Sequence, residues 1–342
     1  MTTPIVVPST GHPGHDGHMT VAALVNGTLE EWHDDAAMEA LDGGLVGRVR
    51  EAGGAGWIDL VSPTPEQVAR IGELLGLHPL IAEDILEGNQ RPKLEVTEEV
   101  VHIVLFALDD GEEVRTHEID LVLGPSFLLS AHPPAWDPRN GHQFKTGLAA
   151  ILKAGPDHLL WAVCDEVVDA YFPFADRMED AIDALQDSVM ERTDRDTLTR
   201  VFDLKREVIA VRRAVSPVRE VLNQLTNREL ALVDPEELLY FRDIYDHVIR
   251  LTDELDNDRE LVTATLDVYL SQVNNNLSAI MKRLTGVTVI IAGIGAIAGI
   301  FGMSEAGAAF SGGEALGFWA VATATVVISA VAALILHRID WI

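Results

Sequence analysis

The chain has 342 residues, 54 of them acidic and 25 basic, for a formal charge of −29. That balance excludes a general nucleic-acid binder, because phosphate binding needs a basic face; it fits solubility or affinity for cations. With Cys164 as the single cysteine, neither an internal disulfide nor a cysteine-rich zinc site can form, and the bulk of the chain suits a reducing cytosol.

Residues 1–19 read as a flexible tail, with His12, His15, Asp16 and His18 in a Gly/Pro-rich setting and no basic, apolar signal-peptide pattern. Imidazoles suit zinc or nickel, but the setting speaks for a tail first. Residues 20–156 read as a mixed α/β domain. Thr64–Leu75, with Pro65 near its start, and Pro79–Leu86 are expected as short helices. Val100–Leu108, Glu118–Leu123 and Ser126–His132 are short apolar runs expected as strands, separated by turn signals at Asp109-Asp110-Gly111 and Gly124-Pro125.

From 157 to 283 the chain reads as helical. Asp157–Asp196 is rich in carboxylates, including Asp176, Glu179, Asp180, Asp183, Asp187 and Glu191 at near-helical spacing. A solvated helix face is the plain reading, and a cation-gathering face the sharper one. Asp234-Pro235 makes an N-cap and N1 pair. Behind it, Leu238, Phe241, Tyr245, Val248, Thr252, Leu255, Arg259, Val262, Leu266, Tyr269, Val273, Leu277, Ile280 and Leu284 recur in steps of three and four. The spacing predicts one helix from about Pro235 to about Gly302, roughly 100 Å long. Its seam calls for cover, from the preceding helices or from other subunits.

Two uncharged runs decide the class. Leu284–Met303 has 20 residues and Leu316–Leu336 has 21, and neither contains a charge or a proline. About 20 helical residues cross a bilayer core. Lys282 and Arg283 precede the first run, Arg338 follows the second, and the linker 304–315 holds Glu305 and Glu314 but no base. The positive-inside rule then puts both termini in the cytoplasm and the linker outside. The first run has Thr285 and Thr288 as its polar residues and small faces at Gly286, Gly293, Gly295 and Gly299. Small residues favour helix packing in lipid. The lack of buried charge disfavours a proton relay and permits a pore that passes an ion with its water. Glu305 and Glu314 would concentrate cations if several copies ringed a pore mouth. No phosphate-binding loop, metalloprotease helix motif or Ser/His/Asp motif speaks for an enzyme.

The segments YFRDIYDH (Tyr240–His247) and LDVYLSQV (Leu266–Val273), then MKRLT and GIFGM, and LHPLIAEDILEGNQRPKLEV (Leu77–Val96) closely resemble the CorA family of divalent-cation transporters, in order and separation, from about Trp57 onward. The resemblance implies an α+β/α membrane protein: a cytoplasmic α/β/α domain and a long stalk helix continuing into a pore-lining first span (284–303), with an outer second span (316–336) and a short tail (337–342). It implies a homopentamer in the inner or plasma membrane that imports Mg²⁺, with Co²⁺ and Ni²⁺ accepted by many members, driven by the membrane potential. By position, Ser278 falls on a polar ring at the cytoplasmic entrance and Leu284 on a hydrophobic gate. Thr288, Ala292, Gly295 and Gly299 fall on the pore-facing stripe. Asp84 and Asp243 match carboxylates that hold regulatory Mg²⁺ between neighbouring subunits. The family's Gly-Met-Asn at the outer mouth is here Gly302-Met303-Ser304. A hydroxyl can accept from the water of a hydrated ion but is shorter than an amide, so its ring would be wider. ZntB-type zinc transporters also lack Gly-Met-Asn, though their usual Gly-Ile-Asn is absent too. A Zn²⁺ or broad transition-metal transporter of the same fold, or a non-conducting ion-sensing scaffold, are the competing expectations.

Overall fold

The computed structural model describes residues 17–97, 99–110, 114–191, 194–302 and 314–338. These fall into two compact units. The first holds the chain up to Ala184 together with Arg200–Thr263, and the second holds Leu185–Thr199 together with the chain from Ala264.

The first unit is built on a seven-stranded sheet. Its strands are β1 (His18–Val25), β2 (Thr28–His33), β3 (Gly56–Val61), β4 (Lys93–Val96), β5 (Val101–Asp110), β6 (Val114–Gly124) and β7 (Phe127–His132). They lie in the order β2-β1-β3-β7-β6-β5-β4. β3 and β7 are parallel and all other pairs antiparallel, so the sheet is mixed. The three strands expected from the apolar runs are β5, β6 and β7.

Period-two alternation gives each strand two faces. One face, with Met19, Val21, Ile58, Leu60, Val122 and Leu129, is covered by α1 (Asp34–Asp42), α2 (Leu45–Glu51), α3 (Pro65–Leu75) and α4 (Pro79–Glu87), which contribute Leu41, Val49, Ile71 and Ile81 to the same core. α3 starts where its sequence says it should. Thr64 accepts from the Gln67 amide at 3.2 Å, Gln67 accepts from the Thr64 amide at 2.9 Å, and Pro65 stands at N1. A cap of this kind contributes about 1 kcal/mol. Gly76, at φ 68°, ends the helix in the left-handed conformation that favours glycine.

The other face carries Trp57, Asp59, Ser130 and His132. α5 (Leu148–Ala154) packs on β1, and α6 (Pro156–Asp169) packs on β5, β6 and β7, which completes the α/β/α layering. On this face the Trp57 indole donates to Ser130 Oγ at 2.8 Å, Ser130 donates to Asp59 Oδ1 at 2.5 Å, and His132 Nε2 reaches the same oxygen at 3.1 Å. Burial would lower the His132 pKa, but its bonds to Asp59 and the Pro133 carbonyl outweigh burial and raise it. Asp59 stands between Ser130 and His132, so the imidazole is no base for the hydroxyl. The network satisfies buried polar groups.

α7 (Phe172–Glu191) and α8 (Arg195–Asn227) lead to α9 (Leu238–Gly302), which has 65 residues. α9 begins three residues after Pro235. Asp234 donates its amide to Asp157 Oδ2, and the turn through Glu237 closes with i→i+3 bonds, so the Asp-Pro pair opens a tight turn and the helix follows it. His158 Nδ1 meets Glu237 Oε2 at 2.9 Å and Trp161 packs on Tyr240, fixing the start of α9 to α6. α10 (Glu314–Arg338) is the last helix.

The seam of α9 is partly corrected. Phe241, Ile244, Val248, Leu251, Leu255, Asp258, Val262, Thr265 and Tyr269 are buried, in strict alternation of three and four. Tyr245, Arg259 and Leu266, expected in the seam, lie off it and are at least partly exposed. In the first unit the cover comes from the chain's own helices: Arg212 on α8 pairs with Asp256 at 2.5 Å, and Phe172 on α7 packs against His247 and under Arg250. Beyond Tyr269 the apolar positions Leu277, Ile280 and Leu284 are exposed.

Candidate functional site

The expected conduction residues lie on the far half of α9. Ser278, Leu284, Thr288, Ala292, Gly295 and Gly299 are all exposed on the single chain, Leu284 by 66%. A Cβ added at Gly293, Gly295 or Gly299 would meet nothing within 4 Å, so these small faces are open. The Thr288 hydroxyl donates back to the Leu284 carbonyl at 2.7 Å, which satisfies it within the helix. By length and composition this helix can cross a membrane, and its apolar window is only 6% buried. The core helix of a soluble protein would be mostly covered, so the bare apolar surface suits lipid or partner helices. Ala322–Arg338 of α10 is a shorter apolar helix. Gly302 closes α9 and Glu314 opens α10. Met303, Ser304 and Glu305 lie outside the described residues.

The two carboxylates expected to bind regulatory Mg²⁺ sit in different surroundings. Asp243 is exposed on α9, 3.9 Å from the His247 imidazole one turn on. Asp84 is largely buried at the end of α4, and its Oδ2 accepts from Lys93 at 2.6 Å. Lys93 also contacts Glu95 at 3.2 Å. Burial alone would lower the pKa of the Lys93 amine, but hydrogen bonds to Asp84 and Glu95 outweigh it, and the net is a raised pKa. Asp84 therefore already has a cation of its own.

Two clusters of metal-capable groups emerge that the sequence did not single out. In the first, Asp165 and Asp169 of α6 and His247 of α9 each place a donor atom within 4.8 Å of the others. Asp243 adds its charge. The Asp165 carboxyl is raised by burial, against the hydrogen bond that Gln143 donates at 2.7 Å. The legible signal was the paired spacing of four, Asp165/Asp169 on one helix and Asp243/His247 on the other. The second cluster joins Asp84, Glu95 and His102 at the β4 edge of the sheet. Beside it the Glu118 carboxyl is pushed up to about 8, by burial first and then by the charges of Asp120 and Asp84.

Residues 53–338 match the family described as CorA-like Mg2+ transporter protein. The chain belongs to the CorA family. It is 35% identical, over 82% of this chain and 81% of the relative, to the cobalt/magnesium transport protein CorA of Thermotoga maritima. A more distant relative, the zinc transport protein ZntB of an Enterobacter species, is 25% identical over 53% of this chain and 54% of its own length. In fold it is similar to the CorA magnesium transporter structure from Methanocaldococcus jannaschii, with a TM-score of 0.78 and 23% identity, covering 94% of this chain and 98% of that one. CorA proteins are ion transporters and not enzymes, and this chain has the divalent-cation transporter fold of that family.

Proposed function

We propose that the chain assembles as a homopentamer in the cell membrane, both termini in the cytoplasm, and admits Mg²⁺ along the far half of α9, driven by the membrane potential. The observation that carries this reading is the bare, uncharged surface of α9 from Leu284 onward, with its open glycine faces. Five copies around an axis would bring Ser278, Leu284, Thr288, Ala292, Gly295 and Gly299 to a common lumen, with Gly302, Met303, Ser304, Glu305 and Glu314 at its outer mouth. Mg²⁺ gives up water reluctantly, so a lumen of hydroxyls, small residues and methyl groups favours the hydrated ion over a stripped one.

Gating is assigned to cytoplasmic Mg²⁺ near Asp243 and Asp84. In the cluster of Asp165, Asp169 and His247, with Asp243 beside His247, the carboxylates are the hard donors that such an ion prefers, and carboxylates this close repel until a cation lies among them. Ion loss would then loosen the assembly.

The decisive test is ion flux in liposomes of purified protein, comparing Mg²⁺, Co²⁺, Ni²⁺ and Zn²⁺. Mg²⁺ flux is expected, with Ser304→Asn tightening block by hexa-ammine cations about tenfold through several stronger water contacts at about 0.5–1.5 kcal/mol each. Flux of Zn²⁺ with no Mg²⁺ flux would favour the zinc reading. No flux of any ion would leave a sensing scaffold.

A further inference from the structure

The β4 edge of the sheet holds a polar cluster on the same face as the main core. The strand register fixes it: Glu95 lies opposite His102, and Lys93 opposite Val104, while His102 lies opposite Val122, two residues from Asp120 on β6. Lys93, Glu95, His102, Glu118 and Asp120 therefore project to one side, where α4 delivers Asp84.

His102 is fully buried, and its two ring nitrogens are treated differently. Nε2 lies 2.8 Å from Asp120 Oδ1, and Asp120 is itself buried. A carboxylate accepts and does not donate, so Nε2 carries the hydrogen. Nδ1 is buried with no hydrogen-bond partner. Its nearest carboxylate oxygen is Glu95 Oε2 at 4.0 Å, beyond hydrogen-bond reach. A neutral imidazole in this tautomer turns a lone pair toward Glu95 and Asp84, which also offer lone pairs. The Lys93 ammonium lies between Asp84 and Glu95, so the acceptor of the three left unsatisfied is the buried His102 Nδ1, and an unpaired buried polar atom is unfavourable.

We propose that His102 Nδ1, Glu95 and Asp84 form a transition-metal site within the α/β domain, of the Zn²⁺, Co²⁺ or Ni²⁺ class, for which the Lys93 ammonium is the built-in competitor. The donor set is one imidazole and two carboxylates, which suits these ions over Mg²⁺ or Ca²⁺. One donor atom from each residue lies within 4.8 Å of the other two. Ligands about 2.0–2.2 Å from a tetrahedral ion stand roughly 3.3–3.6 Å apart, so closure needs only small side-chain movement. Asp120 behind His102 is the carboxylate–histidine arrangement that orients a metal-bound imidazole and raises its basicity. Glu95 is half exposed and provides the way in, whereas His102 and Asp120 are closed to water. Glu118, beside the cluster, has a buried oxygen lacking a partner. For a metal to enter, Lys93 leaves Asp84 and Glu95 for solvent, which its one-fifth exposed side chain can reach.

The site is independent of the transport reading, although Asp84 is common to both, so the test acts on the other residues. The full chain, purified in detergent with a tag free of histidine and with His12→Ala, His15→Ala and His18→Ala to silence the N-terminal imidazoles, is titrated with Co²⁺ and followed by its visible absorption. One tight Co²⁺ per chain is expected, displaced by Zn²⁺ but not by a hundredfold excess of Mg²⁺. His102→Phe should remove it, Asp120→Asn should weaken it about tenfold or more, and Lys93→Gln should tighten it. Melting curves identify which variants remain folded. Unchanged binding in folded His102→Phe overturns the site, as does displacement by Mg²⁺. Should His102→Phe fail to fold, Lys93→Gln decides: affinity equal to or below that of the parent overturns the site.

Discussion

Asp258 shows what a single residue can hide. It occupies a core position of α9, is 2% exposed, and leaves Oδ2 without a hydrogen-bond partner. Its carboxyl is pushed up to about 6, by burial first and then by the charges of Glu254 and Glu179. The unfolded chain returns it to about 3.9. Between these values the folded state binds more protons than the unfolded one, so this contribution to stability falls as pH rises from about 4 to about 6 and the full cost is present above that. Asp258→Asn keeps the shape and drops the charge. It should raise the melting temperature at pH 7.5, by the equivalent of at most about 3 kcal/mol, and by only about a third as much at pH 4.5. Equal effects at both pH values would rule out titration as the cause. The sequence did not reveal Asp258 as a core residue because a carboxylate scores as surface. Nor did it reveal His102, which lies inside an apolar run. Its chemistry depends on which residues of β4 and β6 stand opposite it, and strand register is not written in spacing.

At the scale of elements, local signals were reliable where the chemistry is local. Thr64 and Pro65 announce α3, and the apolar runs from Val100, Glu118 and Ser126 announce β5, β6 and β7. The long helix was legible as a helix, but its face was set only approximately: Phe241, Val248, Thr252, Leu255, Val262 and Tyr269 were placed in the buried face, while Tyr245, Arg259 and Leu266 were one residue off. A pattern read in steps of three and four tolerates that slip, whereas packing against α6, α7 and α8 does not. Two halves of α9 therefore make different predictions. Phe241→Ala should cost about 3–5 kcal/mol as a buried aromatic truncation and lower the melting temperature in any assembly state. Leu277→Ala and Ile280→Ala, at exposed positions, should stay within about 0.5 kcal/mol on the isolated chain and act on assembly alone. Size measurement by light scattering, set beside thermal melting, separates these effects; a Leu277→Ala chain that melts as early as Phe241→Ala would show that its own helices cover that half too.

For the whole molecule, the question is how a cytoplasmic ion level reaches the membrane part. Asp243 is 75% exposed and beside a cluster of donors, so it is available to an ion. Asp84 is held by Lys93, so an ion that uses it must first overcome a salt bridge, and one that does not must work through Asp243, Asp165 and Asp169. Asp84→Ala would free a lysine as well as remove a ligand, so Asp84→Asn is the cleaner change, since its amide oxygen still accepts from Lys93. A cation that binds the closed assembly stabilises it by an amount that grows with concentration over the dissociation constant, about 2.7 kcal/mol at a hundredfold excess. Loss of the site removes that stabilisation. Limited proteolysis of the assembled protein, with and without Mg²⁺, should show protection in the parent, weak protection in Asp243→Asn and least in Asp243→Asn with Asp84→Asn. If Asp84→Asn alone retains full protection while Asp243→Asn abolishes it, the regulatory ion belongs to the α6–α9 cluster and Asp84 serves its salt bridge. If both variants are protected like the parent, neither carboxylate senses the ion, and the coupling to the membrane part must run through groups other than these.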